Sequence, residues 1–238
     1  MDWQITEKSA LGRTAGGQIE VFPVTPQHAA RLHVAPPSGP SWRIAEVFPL
    51  PQHAALPEEI YCRQHDLICR FGQSPSDEYG FQLDWQLLPP QGPFAAGVEL
   101  WLSVSTAWLE THPELKVVCH GLDAGQWHVL NHDQLSHEPQ PAAAASCGPA
   151  ALLTERQADQ GHPSSGLWLI EPSDQCQVAL CPGTDGGSQA VRLFGQFMEK
   201  GVIRRGRMRF LLADQPVSRE EIAEAYRQFA LSPLPLTA

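Results

Sequence analysis

The chain has 238 residues, with 16 Lys plus Arg against 26 Asp plus Glu and a formal net charge of −10. Hydrophobic residues make up 42% and charged residues 18%, which excludes disorder of the whole chain and provides a core without metal or disulfide staples. So acidic a chain lacks the concentrated positive charge that neutralises phosphates, so neither nucleic acid nor an anionic membrane is an expected partner.

No run approaches the roughly 20 apolar residues of a membrane-spanning helix. The N-terminus, MDWQITEK, has no apolar signal-peptide core, and a cytoplasmic location with reduced thiols is the expectation. The six cysteines (Cys62, Cys69, Cys119, Cys147, Cys176 and Cys181) form no C-x-x-C pair. No metal or other cofactor is implied. The 19 glycines and 22 prolines point to many short elements joined by turns.

In chain order, Gln18–Phe22 and Trp42–Phe48 read as strands, each ending on a Phe-Pro pair and followed by PQHAA, at Pro26–Ala30 and Pro51–Ala55. Two copies, a duplicated strand-plus-loop unit or chance, fall short of the three that a solenoid needs. Residues 60–71 form a hairpin if the chain turns at His65–Asp66. That register sets Cys62 opposite Cys69 at a hydrogen-bonded position, whose spacing suits a disulfide poorly, so plain thiols are expected.

The middle of the chain is strongly β. Tyr79, Phe81, Leu83, Trp85 and Leu87 alternate with Gly80, Gln82, Asp84 and Gln86. Val98, Leu100, Leu102 and Val104 alternate with Glu99, Trp101, Ser103 and Ser105. Strict period-2 alternation marks a strand with one buried face. Leu115–Cys119, Trp127–Leu130, Leu152–Glu155, Leu167–Glu171 and Gln177–Cys181 are further strands. Residues 137–150 and 182–189 are low-complexity candidates for mobile loops within one domain spanning 1–238.

Leu193, Phe194, Phe197 and Met198 have helix-like spacing over one or two turns, Gly201 breaks it, and Val202–Leu212 reads as a long strand. The last element is a helix. Ser218-Arg219-Glu220-Glu221 is a capping box, Ile222, Tyr226 and Phe229 form an apolar stripe, and Ser232-Pro233 ends it. The expected fold is an all-β sandwich with a C-terminal α-helix.

Three groups of residues could carry chemistry. Arg205, Arg207 and Arg209 fall on one strand face about 7 Å apart, where like charges need carboxylates or an anionic partner. Trp101 stands between Glu99 and Ser103 on the polar side of its strand, where an indole beside a carboxylate and hydroxyls can stack on a sugar, or pack under a covering element. His128 and His132 are four apart, but in a strand that spacing is about 13 Å, too far for one metal ion. G-x-S-x-G, P-loop, dinucleotide-binding and H-E-x-x-H patterns are absent, which removes the commonest hydrolase, nucleotide-binding and zinc-protease readings.

The segments YGFQLDWQLLPPQGPFAAGVELWLSVST (Tyr79–Thr106) and LWLIEPSDQCQVALCPG (Leu167–Gly183) resemble stretches of the galactose mutarotase-like (aldose 1-epimerase-like) proteins. The resemblance implies a β-supersandwich and a His/Glu acid–base pair that opens and closes a hexose ring. In this chain the pair would be His112, in Thr111-His112-Pro113, as acid and Glu171 as base. Pro113-Glu114 stand where the family carries an aromatic motif. Trp101, Glu99, Arg205 and Arg207 would be ligand-binding residues. Glu199–Arg207, EKGVIRRGR, is similar to a segment of bacterial proteins and implies no function. Two functions therefore stand side by side: a sugar-binding or sugar-isomerising protein, and an interaction module whose arginine stripe or exposed sheet face meets an acidic partner protein.

Overall fold

The computed structural model describes residues 2–14, 17–28, 30–34, 41–51, 56–120, 126–131, 140–141, 149–155, 165–172, 179–182 and 188–233. Most of the two candidate loops, the second PQHAA copy, Cys147, Cys176 and His132 lie outside these residues.

The first strands are β1 (Asp2–Ile5), β2 (Ala10–Thr14), β3 (Gly17–Val21), β4 (Ala30–Val34) and β5 (Ser41–Leu50). Next come β6 (Glu59–Arg63), β7 (Asp66–Phe71), β8 (Gly80–Leu88), β9 (Phe94–Ser105) and β10 (Glu110–Thr111). They are followed by β11 (Glu114–His120), β12 (Gln126–Asn131), β13 (Gln140–Pro141), β14 (Pro149–Glu155) and β15 (Ser165–Ile170). The last are β16 (Ala179–Pro182), β17 (Ser188–Phe194), β18 (Met198–Glu199) and β19 (Ile203–Ala213), before the helix α1 (Arg219–Leu231).

Eight strands form one antiparallel sheet in the order β1-β2-β3-β4-β5-β11-β17-β16, and nine form the other in the order β13-β12-β14-β15-β19-β9-β8-β7-β6. β10 and β18 pair separately. This is an all-β sandwich of supersandwich type with one C-terminal helix.

Period-2 alternation explains the main core. Phe81, Leu83, Trp85 and Leu87 of β8 and Val98, Leu100, Leu102 and Val104 of β9 point the same way and pack against Ile19, Leu32, Ile44, Val117 and Leu193 of the other sheet. Each such side chain contributes about 1.5–3 kcal/mol on full burial. Tyr79 ties the sheets together by donating its hydroxyl to the Glu114 carbonyl at 2.6 Å and accepting from the Leu50 amide at 3.0 Å.

A second core lies on the outer face of the nine-stranded sheet. Leu153, Leu167, Leu169 and Leu211 are covered there by Ile222, Tyr226 and Phe229 of α1. The helix starts at the expected capping box: Ser218 Oγ accepts from the Glu221 amide, and the Glu221 carboxylate accepts from the Ser218 amide. It is 13 residues long. Among the described residues no helix is long and apolar enough to cross a membrane.

Two local expectations are corrected. Leu193–Met198 is not helical: Leu193 pairs with Leu115 inside β17, and Phe194 (φ 72°) and Gly195 (φ 75°) are both left-handed, which ends the strand and turns the chain toward β18. The β6–β7 hairpin turns at Gln64–His65, one residue earlier than expected, with Gln64 at φ 55°. Cys62 therefore faces Leu67 and Cys69 faces Ile60, and both thiols are free.

Candidate functional site

The outer face of the nine-stranded sheet beside α1 is polar, and the strand register arranges its side chains in rows. Directly opposed residues on neighbouring strands stand about 5 Å apart. One row runs Arg207–Trp101–Asp84 across β19, β9 and β8. The next runs Leu169–Arg209–Glu99–Gln86–Asp66 across β15, β19, β9, β8 and β7. A third, on the other side of the first, runs Arg205–Ser103–Gln82–Arg70.

The first two rows close into a buried cluster where they meet the helix. Arg207, only 1% exposed, donates from Nε to Glu171 Oε2 at 2.6 Å, from Nη1 to Ser232 Oγ at 2.8 Å and from Nη2 to the Phe229 carbonyl at 2.8 Å. Its guanidinium lies between two rings, 5.2 Å from the Trp101 centroid and 4.3 Å from that of Phe229. Arg209 donates from Nε to Glu99 Oε2 at 2.8 Å, and Trp101 Nε1 donates to Glu99 Oε1 at 3.0 Å. Each buried charge thus has a carboxylate and further hydrogen bonds, the condition under which burial is tolerated.

The structure therefore brings together Glu171, Glu99, Trp101 and Arg207, and adds Arg209, Phe229 and Ser232. Two arginines of the stripe are consumed by internal carboxylates. The stripe as a whole is not an open face, since only Arg205 of the three is exposed. Trp101, 8% exposed, is covered by Arg207 and gives up its indole N–H to Glu99, so it does not offer a sugar a free ring.

His112 is elsewhere. It sits exposed between β10 and β11, with its ring 6.0 Å from that of Phe197, whereas Glu171 lies under the helix on the outer face of the other sheet, bound to Arg207. Neither touches the other. Among the described residues no three His, Cys, Asp or Glu side chains converge as metal ligands do.

The third row opens into a cleft of about 390 Å³, floored by Gln82 and Ser103 with Arg205 and Arg70 at its ends and Gln73 and Ser105 beside them. Asp84 stands in the adjacent row, two residues along β8 from Gln82. Gln82 Nε2 donates to Asp84 Oδ1 at 2.7 Å, and among the described residues Asp84 has no ion pair. Partial burial pushes its pKa up, the Gln82 bond, Arg205 and Arg63 acting in the opposite sense. Burial likewise raises Asp66, one row away. Trp108 follows the cleft-lining Ala107, donates its amide to Thr106 Oγ1 at 3.0 Å and leaves its side chain 42% exposed.

Sequence reasoning passed over Gln82, Asp84 and Ser103 as site residues. The available signal was the polar half of the two alternating strands, which becomes a site only once β8, β9 and β19 are known to lie side by side.

No family pattern and no curated protein sequence matches the chain. Solved structures do match in fold. A galactose mutarotase-like protein from Lactobacillus casei superposes with a TM-score of 0.52 at 10% identity, over 86% of this chain and 99% of that one. A galactose mutarotase related enzyme from Lactobacillus acidophilus gives 0.46 at 8% identity, over 86% and 97%. A provisionally assigned kojibiose phosphorylase from the human microbiome gives 0.50 at 7% identity, over 97% of this chain and 29% of its own. At these identities the likeness is one of fold.

Proposed function

We propose that this protein binds a carbohydrate in the cleft between Arg205 and Arg70, on the outer face of the nine-stranded sheet. The observation that carries this reading is the row Arg205–Ser103–Gln82–Arg70, with Asp84 bonded to Gln82 from the adjacent row. A sugar ring presents a rim of hydroxyls that both donate and accept. An amide, a hydroxyl and a guanidinium in one row supply both partners. The cleft volume falls within the several hundred Å³ typical of small-molecule sites.

Asp84 supports the same reading on energetic grounds. A partly buried carboxylate without an ion pair destabilises the fold, and such groups are found where function requires them. The solved relatives in fold include proteins named for sugars. The reading is one of binding. The acid–base pair that the resemblance implies is not assembled, because Arg207 engages Glu171 while His112 faces solvent.

A thermal-shift screen of the pure protein against free hexoses and pentoses tests this. A ligand at 100 times its Kd stabilises by about 2.7 kcal/mol. The expected result is a shift with one sugar class, lost in Ser103→Trp, which fills the cleft, and kept in His112→Ala. Absence of any shift at millimolar sugar contradicts the proposal.

A further inference from the structure

We infer that the carbohydrate bound in this cleft carries an anionic substituent, a carboxylate or a phosphate, and that Arg205 holds it. This rests on the proposed carbohydrate site and deepens it. Arg205, Arg207 and Arg209 of β19 share one strand face, yet their fates differ. Arg207 is tied to Glu171 and Arg209 to Glu99, both under the helix. Arg205 is exposed, lines the cleft, and among the described residues makes no ion pair or hydrogen bond. Asp84 acts on it only at longer range.

A chain with 26 carboxylates and a net charge of −10 has ample means to neutralise one arginine. The register leaves this one beside Ser103 instead. Its planar fork of N–H donors matches the paired oxygens of a carboxylate or phosphate. At the far end of the row, three interstrand steps or about 14 Å away, Arg70 is only loosely held, 3.9 Å from Glu58 and 3.7 Å from Glu59. A ring lying over Ser103 and Gln82 therefore has a cationic group at each end, and the end at Arg205 has no competing carboxylate in contact.

The overall charge repels anions, so a preference for an acidic sugar has to originate locally and to weaken as salt screens the exposed guanidinium. Another member of the segment provides the control. Arg204 is on the same strand but points to the other side, where it donates to the Phe197 carbonyl at 2.9 Å.

The test is calorimetric titration with matched sugars: D-glucose, D-glucuronate and glucose 6-phosphate, and D-galactose with D-galacturonate. Inorganic phosphate alone is a further arm. The inference expects at least tenfold tighter binding of an acidic sugar than of its neutral partner, and the uronate and phosphate arms identify which anion is used. Arg205→Gln should abolish the preference, so that each acidic sugar binds no more tightly than its neutral partner, Arg205→Lys should retain part of it, and Arg204→Gln should leave it unchanged. Thermal melts of each variant confirm folding, since Arg205 is exposed. Equal binding of neutral and acidic sugars, or a preference that survives Arg205→Gln, overturns the inference while leaving the carbohydrate site standing. Phosphate binding as tightly as the sugar phosphate also overturns it, because the ring then contributes nothing. Binding of none of these ligands overturns both readings.

Discussion

Arg207 and Glu171 meet across 2.6 Å beneath the C-terminal helix, and the same guanidinium holds the helix end through the Phe229 carbonyl and Ser232 Oγ. One fully buried side chain thus joins the sheet to α1. Removing either charge leaves the other buried and unpaired, at a cost of about 3–5 kcal/mol, whereas replacing both with apolar groups is close to neutral. Glu171→Gln is expected to lose stability on that scale in urea unfolding, and the double variant Glu171→Leu/Arg207→Met to recover most of it. Arg207→Lys is expected to resemble a deletion, because a single ammonium cannot serve acceptors on Glu171, Phe229 and Ser232 at their present positions.

Phe229 completes the anchor. It is fully buried and lies 4.3 Å from the Arg207 guanidinium and 4.9 Å from that of Arg209. Phe229→Ala should cost about 3–5 kcal/mol. It should also raise amide exchange across residues 219–231 before it does so in β9 or β19, because the helix is attached chiefly through this face. Uniform protection of the helix in the variant contradicts that assignment.

Asp84 predicts a pH dependence of definite sign. Its carboxyl titrates above the ordinary 3.8, chiefly because of burial. The folded state therefore holds its proton more tightly than the unfolded state. The resulting stabilisation is full below the unfolded pKa and is lost as pH rises through the folded pKa. Asp84→Asn keeps an acceptor for Gln82 and removes the charge, so it should raise Tm at pH 7 and have no effect at about pH 3. A lower Tm at pH 7 would show that the charge is stabilising and contradict the account.

The thiols give a simple check of which side chains are buried at the β6–β7 hairpin and in β11. Cys62 is exposed, whereas Cys69 and Cys119 are buried, with burial pushing the Cys69 thiol up to about 12 and raising that of Cys119 as well. Alkylation of the native protein followed by peptide mass spectrometry should modify Cys62 and spare the other two until denaturant is added.

Much of the fold was legible because single strands carry their own signature. The alternation in β8 and β9, the long β19 and the capping box at Ser218 all appear where local pattern places them. β1, β2 and β4 were missed, being four- and five-residue strands such as ALGRT and ARLHV, with little clean alternation. The site was legible only in pieces. Glu99, Trp101, Glu171 and the arginines each stood out, but Glu99 and Arg209 are 110 residues apart, and nothing in either segment announces that β9 and β19 are neighbours. That pairing converts an arginine stripe and a polar-face tryptophan into one buried cluster, and moves the open polar surface to Gln82, Ser103 and Arg205.

The central claim is the place where sugar binds, and amide chemical-shift mapping of the protein with a stabilising sugar tests it most directly. Perturbations are expected at Gln73, Gln82, Ser103, Ser105 and Arg205. Perturbations confined to the separate cleft around Phe22, His28, Arg31 and Arg43 on the eight-stranded sheet, or none at saturating sugar, would contradict it.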